Sequence, residues 1–91
     1  MGKVFDWDNA KNQKLLKERN ISFEAIVSLI ESGSILATVA GKDKYKHQKQ
    51  FILEMNRYIY IVPFVEDDQK IFLKTIIPSR KLTKKFLLGG S

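Results

Sequence analysis

Arg80, Lys74 and His47 are the side chains in this sequence best suited to chemistry at a phosphate. Arg80 follows a β-forming run and stands beside Ser79, where a helix can begin. Its planar guanidinium grips two phosphate oxygens at once, and the free N–H groups of a helix start favour the same anion. Lys74 is the one charge inside an otherwise apolar run, Ile71 to Ile77. Such a lysine either snorkels at a sheet edge or, when desolvated, has a depressed pKa suited to proton transfer. His47 is the only histidine, the side-chain type that can serve as acid or base near neutrality. Together these groups suit the cutting of RNA without a metal ion. RNA supplies its own nucleophile, the 2′-hydroxyl beside each phosphate. A protein then has to accept that proton, protonate the leaving 5′-oxygen and place positive charge on the phosphorane.

Each residue also has a plainer role. Arg80 can form a surface salt bridge, which contributes little. Lys74 can pair with Glu54, a lone acid in a neighbouring strand. His47 can be a solvated loop residue. Among the aromatics, Tyr45 lies between Lys44 and Lys46 and suits stacking on a base. Tyr58 and Tyr60 fit sheet packing better. Lys44, Lys46, Lys81, Lys84 and Lys85 would then follow the phosphate backbone.

Other chemistries are excluded or disfavoured. The chain has no cysteine, so it has neither a disulfide framework nor a thiolate metal site. Asp43 is the one acid near His47 at a metal-ligand spacing, and no metal or other cofactor is expected. No Gly-rich phosphate loop is present. Asp67 and Asp68 read as solvated turn formers.

Ninety-one residues are enough for one domain with a core of roughly 25 apolar side chains. One domain over residues 1–88 is expected, with 89–91 a frayed tail or an expression scar. No run resembles a signal peptide or approaches the ~20 apolar residues of a membrane span, which points to a cytosolic protein. The net charge is +6. Residues 1–35 carry five basic and five acidic groups, so the whole excess lies in the C-terminal part. It is concentrated at Lys42, Lys44, Lys46 and Lys49, and again at Arg80, Lys81, Lys84 and Lys85. This asymmetry suggests a polyanion partner, or an acidic protein that competes for the same surface.

The elements that must position these residues follow from pattern. Lys3 to Trp7 is a short strand. Asp8 caps a helix that runs to about Arg19, with a thin apolar pattern, and Asn20 suits a left-handed stop. Ser22 caps a second helix, in which Phe23, Ile26, Val27 and Ile30 form one apolar stripe; Gly33 ends it. Ile35 to Ala40 is a strand, and a lysine-rich loop follows. From Gln48 the chain reads as a three-stranded antiparallel meander. Gln50 to Met55 alternates in part, with Phe51, Leu53 and Met55 on one face and Gln50, Ile52 and Glu54 on the other. Asn56-Arg57 is a two-residue hairpin turn that lacks the usual Gly. Tyr58 to Phe64 is apolar on both faces, as for an interior strand. Pro63 belongs near its end or at a bulge. Ile71 to Ile77 is a single last strand, stopped by Pro78. Beyond Ser79, Arg80, Lys81, Lys84 and Lys85 would cover about 140° of a helix, with Leu82 and Phe86 opposite, which reads as a short amphipathic basic helix or a tail that orders on binding. The order β-α-α-β-β-β-β-(α) predicts an α+β domain with two N-terminal helices on one face of an antiparallel sheet.

Three landmarks in order carry a family resemblance: FDWDNAK (Phe5 to Lys11), ISFEAI (Ile21 to Ile26) and IYIVPFVEDDQKIFLKTIIPSRK (Ile59 to Lys81). The first is similar to the opening F-x-W-D-x-x-K of the BrnT family of bacterial type II toxins, related in fold to the RelE group of small ribonucleases. Over about residues 4–86 the chain resembles that family. The resemblance implies an RNA-cleaving toxin held inactive by a partner antitoxin, usually of the ribbon-helix-helix type. Arg80 matches the arginine after the last strand, and Lys11 the lysine of the opening motif. Where many members read N-x-x-K-H-G between the helices, this chain has Leu15, Glu18, Arg19 and Asn20, without the histidine. The rival reading is a non-enzymatic basic module that docks an acidic protein or RNA.

Overall fold

The computed structural model describes residues 3–40 and 48–87. Strand β1 (Val4–Trp7) leads through Asp8 into helix α1 (Asn9–Arg19). The Asp8 carboxylate accepts the N–H groups of Ala10 and Lys11, which have no partner inside the helix. Asn20 ends α1 at φ 57°, in the left-handed region that asparagine tolerates. Helix α2 (Phe23–Glu31) starts at Ser22, whose hydroxyl accepts the Ala25 N–H. Its Phe23 and Ile26 are fully buried, whereas α1 buries only Leu15 and Asn12. At about 1.5–3 kcal/mol for each buried large apolar side chain, α2 is the better anchored helix.

Asn12 joins the two helices. Its side-chain oxygen accepts the Phe23 N–H at 2.7 Å, and its nitrogen donates to Glu24 at 2.8 Å. A buried amide is tolerable because both of its ends are satisfied.

Five strands form a continuous path in the order β1-β5-β4-β3-β2, with β2 Ile35–Ala40, β3 Lys49–Met55, β4 Tyr58–Glu66 and β5 Lys70–Leu73. All neighbours are antiparallel except β1 and β5, which run parallel. Strand β4 lies inside the sheet, which explains a run apolar on both faces. Asn56 and Arg57 both take positive φ, 56° and 63°, as a tight hairpin between right-twisted strands requires.

The expected single last strand is instead two strands. β5 ends at Leu73, opposite Phe64; β6 (Ile77–Pro78) pairs with β4 at Ile61 and Tyr60. Between these pairings Lys74, Thr75 and Ile76 face only Val62 and Pro63, the two-against-one-more count of a bulge. Pro63 explains the break. Its carbonyl accepts the Lys74 N–H at 2.8 Å, so its missing N–H falls on this same edge.

The helices α1 and α2 cover one sheet face. Leu15, Ile21, Phe23 and Ile26 pack there against Phe51, Leu53, Val62, Phe64, Leu73 and Ile76. Trp7 joins this core by stacking on Phe23, with ring centroids 5.8 Å apart. Ile52 and Ile59 are buried on the opposite face. Helix α3 (Arg80–Leu87) packs against β4 there. Among the described residues, no helix is long and apolar enough to cross a membrane.

Candidate nucleic-acid interface

The short β6 delivers the chain to the start of α3. Ser79 donates its N–H to Ile59 O at 2.9 Å, which extends the β6 pairing by one bond. Its hydroxyl accepts the Leu82 N–H at 3.2 Å, so Ser79 caps α3. Arg80 is the first residue of that helix and is exposed. Lys81, Lys84 and Lys85 are exposed as well, and none of these four cations is ion-paired among the described residues. The side facing the sheet holds Thr83, buried, and Leu82, half-buried. Phe86, expected to share the apolar side, is 50% exposed, with Lys85 Nζ 5.9 Å from its ring centroid.

Lys74 lies in the bulge and is exposed. Its ammonium meets Gln48 Oε1 at 3.4 Å. Glu54 is not its partner: Lys74 bonds to Pro63, which lies opposite Gln50, whereas Glu54 faces Ile59, four residues away along β4. Lys74 is anchored on Pro63 and Ser79 on Ile59, four residues apart along β4. At about 3.3 Å per residue this sets the Lys74 and Ser79 backbones roughly 13 Å apart along one edge, with Arg80 next after Ser79. No hydrogen bond joins the two side chains. Lys44, Tyr45, Lys46 and His47 lie outside the described residues.

Lys49 does not belong with the unpaired cations. It donates to Glu66 at 3.0 Å, and Lys3 donates to the same carboxylate at 3.1 Å. Lys49 first, then Lys3, holds the Glu66 carboxyl below its usual range. Asp67 accepts the Gln69 and Lys70 N–H groups, which makes it the turn former expected and also lowers its pKa. A shallow hollow of about 160 Å³ lies at this turn, lined by Val65, Glu66, Asp67, Lys70 and Phe72. It is smaller than ordinary ligand pockets, and none of the candidate residues lines it.

Two contributors escaped the sequence reading. Arg19 donates to Ile76 O at 3.3 Å and so holds the bulge from the α1 side. Thr83 accepts the Ile59 N–H at 2.8 Å and donates to Ser79 O at 2.7 Å. Neither had a local signal, since each depends on a strand far away in the chain. Tyr58 and Tyr60 lie with ring centroids 5.6 Å apart, and Tyr60 packs against the main core. Among the described residues, no three of His, Cys, Asp and Glu gather as a metal-ligand set.

No protein-family model matches the sequence, and no curated protein does. Two solved structures of YafQ from E. coli are similar to this chain, one of them a single-residue variant. The variant superposes with a TM-score of 0.49 and the other with 0.50; each is 12% identical and covers 89% of this chain and 98% of YafQ. At that identity the likeness is one of fold. The chain thus has a RelE-like α+β fold, with four exposed cations on the helix that follows its last strand.

Proposed function

We propose that this chain is the toxin of a type II toxin–antitoxin pair, a BrnT-like member of the RelE-related ribonucleases. In this reading, residues 1–88 are one domain acting in the cytoplasm. The observation that carries the proposal is α3: Arg80 opens it, Ser79 caps it, and Lys81, Lys84 and Lys85 are exposed with it. Phosphate gathers there through a bidentate guanidinium, free N–H groups at the helix start and three ammonium groups.

The chemistry is metal-independent cleavage. The RNA 2′-hydroxyl attacks the adjacent phosphorus, the bond to the 5′-oxygen breaks, and a cyclic phosphate and a free 5′-hydroxyl result. Arg80 holds the scissile phosphate and stabilises its developing charge. Lys74 or His47 moves the protons. Lys44, Lys46, Lys81, Lys84 and Lys85 bind the backbone, and Tyr45 stacks on a base. A cognate antitoxin, of the ribbon-helix-helix type, inhibits the site. The alternative, a basic module that binds without cutting, is favoured by one observation: Lys74 and Ser79, the residue before Arg80, are anchored about 13 Å apart along β4, and the Lys74 and Arg80 side chains share no hydrogen bond.

The test is growth and RNA integrity in a bacterial host after induction of the wild type and Arg80→Ala, at matched expression. Arrest with RNA loss in the wild type, at least about 100-fold reduced in the variant, is the expected result for a lost transition-state contact. Arrest in both removes Arg80 from the centre of the site. Intact RNA and continued growth in both favour the binding module.

A further inference from the structure

We propose that Thr83 is a positioning residue whose hydroxyl sets the rotation of α3 on the sheet and hence the direction in which its cations face RNA. The inference rests on the reading of α3 as an RNA surface and adds to it the device that aims that surface.

The need for such a device arises at the end of β6. The strand is only two residues long, and its ladder with β4 stops at Tyr60. The next donor on that edge of β4 is the Ile59 N–H, at a residue with no exposure to solvent. A third strand residue would have accepted it, but the chain has already turned into a helix. The Thr83 hydroxyl takes that place: it accepts the Ile59 N–H at 2.8 Å and passes its own proton to Ser79 O at 2.7 Å. The Ser79 N–H donates to Ile59 O in the same patch. A single hydroxyl thus joins the sheet edge to the first turn of α3, and it needs both its acceptor and its donor capacity to do so.

That link fixes a rotational phase. At 100° per residue, with Thr83 set at zero, Arg80, Lys84, Lys81 and Lys85 lie between about 60° and 200°. Leu82 and Phe86 lie on the other side, between about −60° and −100°. Thr83 therefore sits between the cationic arc and the apolar pair. A helix that rolled about its axis by one residue in the direction that brings Arg80 toward the sheet would at the same time carry Leu82 into solvent. The bond from the Ile59 N–H to the buried Thr83 hydroxyl crosses from sheet to helix and, with the bond to Ser79 O holding the hydroxyl in place, opposes that roll. Apolar contact alone does so weakly, because Phe86 is half exposed.

The test compares the full-length wild type with Thr83→Ser, Thr83→Val and Thr83→Asn. Each is titrated against a short fluorescent single-stranded RNA with 2′-O-methyl riboses, which cannot be cleaved, over a range of salt. Amide exchange at Ile59 and thermal melting are followed in parallel. Thr83→Ser keeps both hydrogen bonds and should match the wild type in affinity and salt slope. Thr83→Val removes the acceptor; Ile59 exchange should quicken, affinity fall about tenfold, and the salt slope lose roughly one to two phosphates. Thr83→Asn supplies an acceptor on a longer arm, so it tests displacement of the helix even if the valine variant does not fold. It should protect Ile59 yet bind RNA more weakly. Wild-type affinity and slope in a folded Thr83→Val or Thr83→Asn protein would overturn the positioning role and leave Thr83 a cap for the sheet edge. Absence of RNA binding by the wild type would instead overturn the RNA reading itself, and the positioning role with it.

Discussion

Asn12 shows how one residue ties local order to packing. It is a polar side chain at 2% exposure, tolerated because Phe23 and Glu24 meet its two ends. Asn12→Ala leaves the buried Phe23 N–H without an acceptor. It should destabilise the protein by about 1–3 kcal/mol in urea unfolding. Glu66 tests the exposed electrostatics. Its folded pKa is lowered, so its contribution is present above the carboxylate's unfolded value and is lost as pH falls through the folded one. Glu66→Gln should cost at most about 1 kcal/mol at neutral pH, as surface pairs do. The difference between variant and wild type should vanish below the usual carboxylate range. Melting temperatures of both proteins from neutral to acid pH measure this; a gap independent of pH would remove the ion pairs as its cause.

At the scale of elements, caps and turns were the parts most readable in the sequence. Asp8, Asn20 and Ser22 perform the roles that their side-chain chemistry allows, since a cap acts within three or four residues of itself. The Asn56-Arg57 hairpin was legible for the same reason, although Arg57 holds φ 63° without being glycine. Arg57→Gly should relieve that strain and stabilise the fold by up to about 1 kcal/mol in thermal or denaturant unfolding. The last strand was less legible. Seven residues of β character, Ile71 to Ile77, gave no sign of a break, because the cause lies in a different strand: Pro63 cannot donate to the edge that they occupy. The amphipathic reading of α3 placed its four cations outward, as the structure has them. It could not place Thr83 inward, because a threonine in a lysine-rich helix looks like a solvated residue until the unpaired Ile59 N–H is seen.

Across the whole molecule, charge is sorted by topology. The parallel pairing of β1 with β5 brings Lys3 to Glu66, and Lys49 reaches Glu66 from β3. One end of β4 thus has its charges paired, while α3, near the other end, keeps its cations unpaired among the described residues. Under the proposed function, this unpaired group meets RNA phosphates. The affinity of the intact protein for single-stranded RNA should therefore fall steeply with salt, by about 0.7 log units per tenfold salt for each phosphate engaged. If Arg80, Lys81, Lys84 and Lys85 all engage, the slope should approach about −3. Replacement of Lys49 should leave that slope unchanged, whereas loss of Lys84 should reduce it. A flat profile in fluorescence anisotropy would count against α3 as a phosphate surface.

By itself the sequence determined the helices, the hairpin turn, the alternation of β3, the inner-strand character of β4 and the basic face of α3. Each follows from periodicity or from side chains acting on their own backbone within a few residues. Only the tertiary structure decided that β1 inserts parallel to β5, that Lys74 leaves Glu54 for Gln48, that Arg19 reaches Ile76 and that Thr83 closes the edge of β4. These contacts join residues 24 to 66 positions apart in the chain. Their partners are chosen by strand order and by which backbone groups the sheet leaves unpaired, and no short-range pattern encodes either.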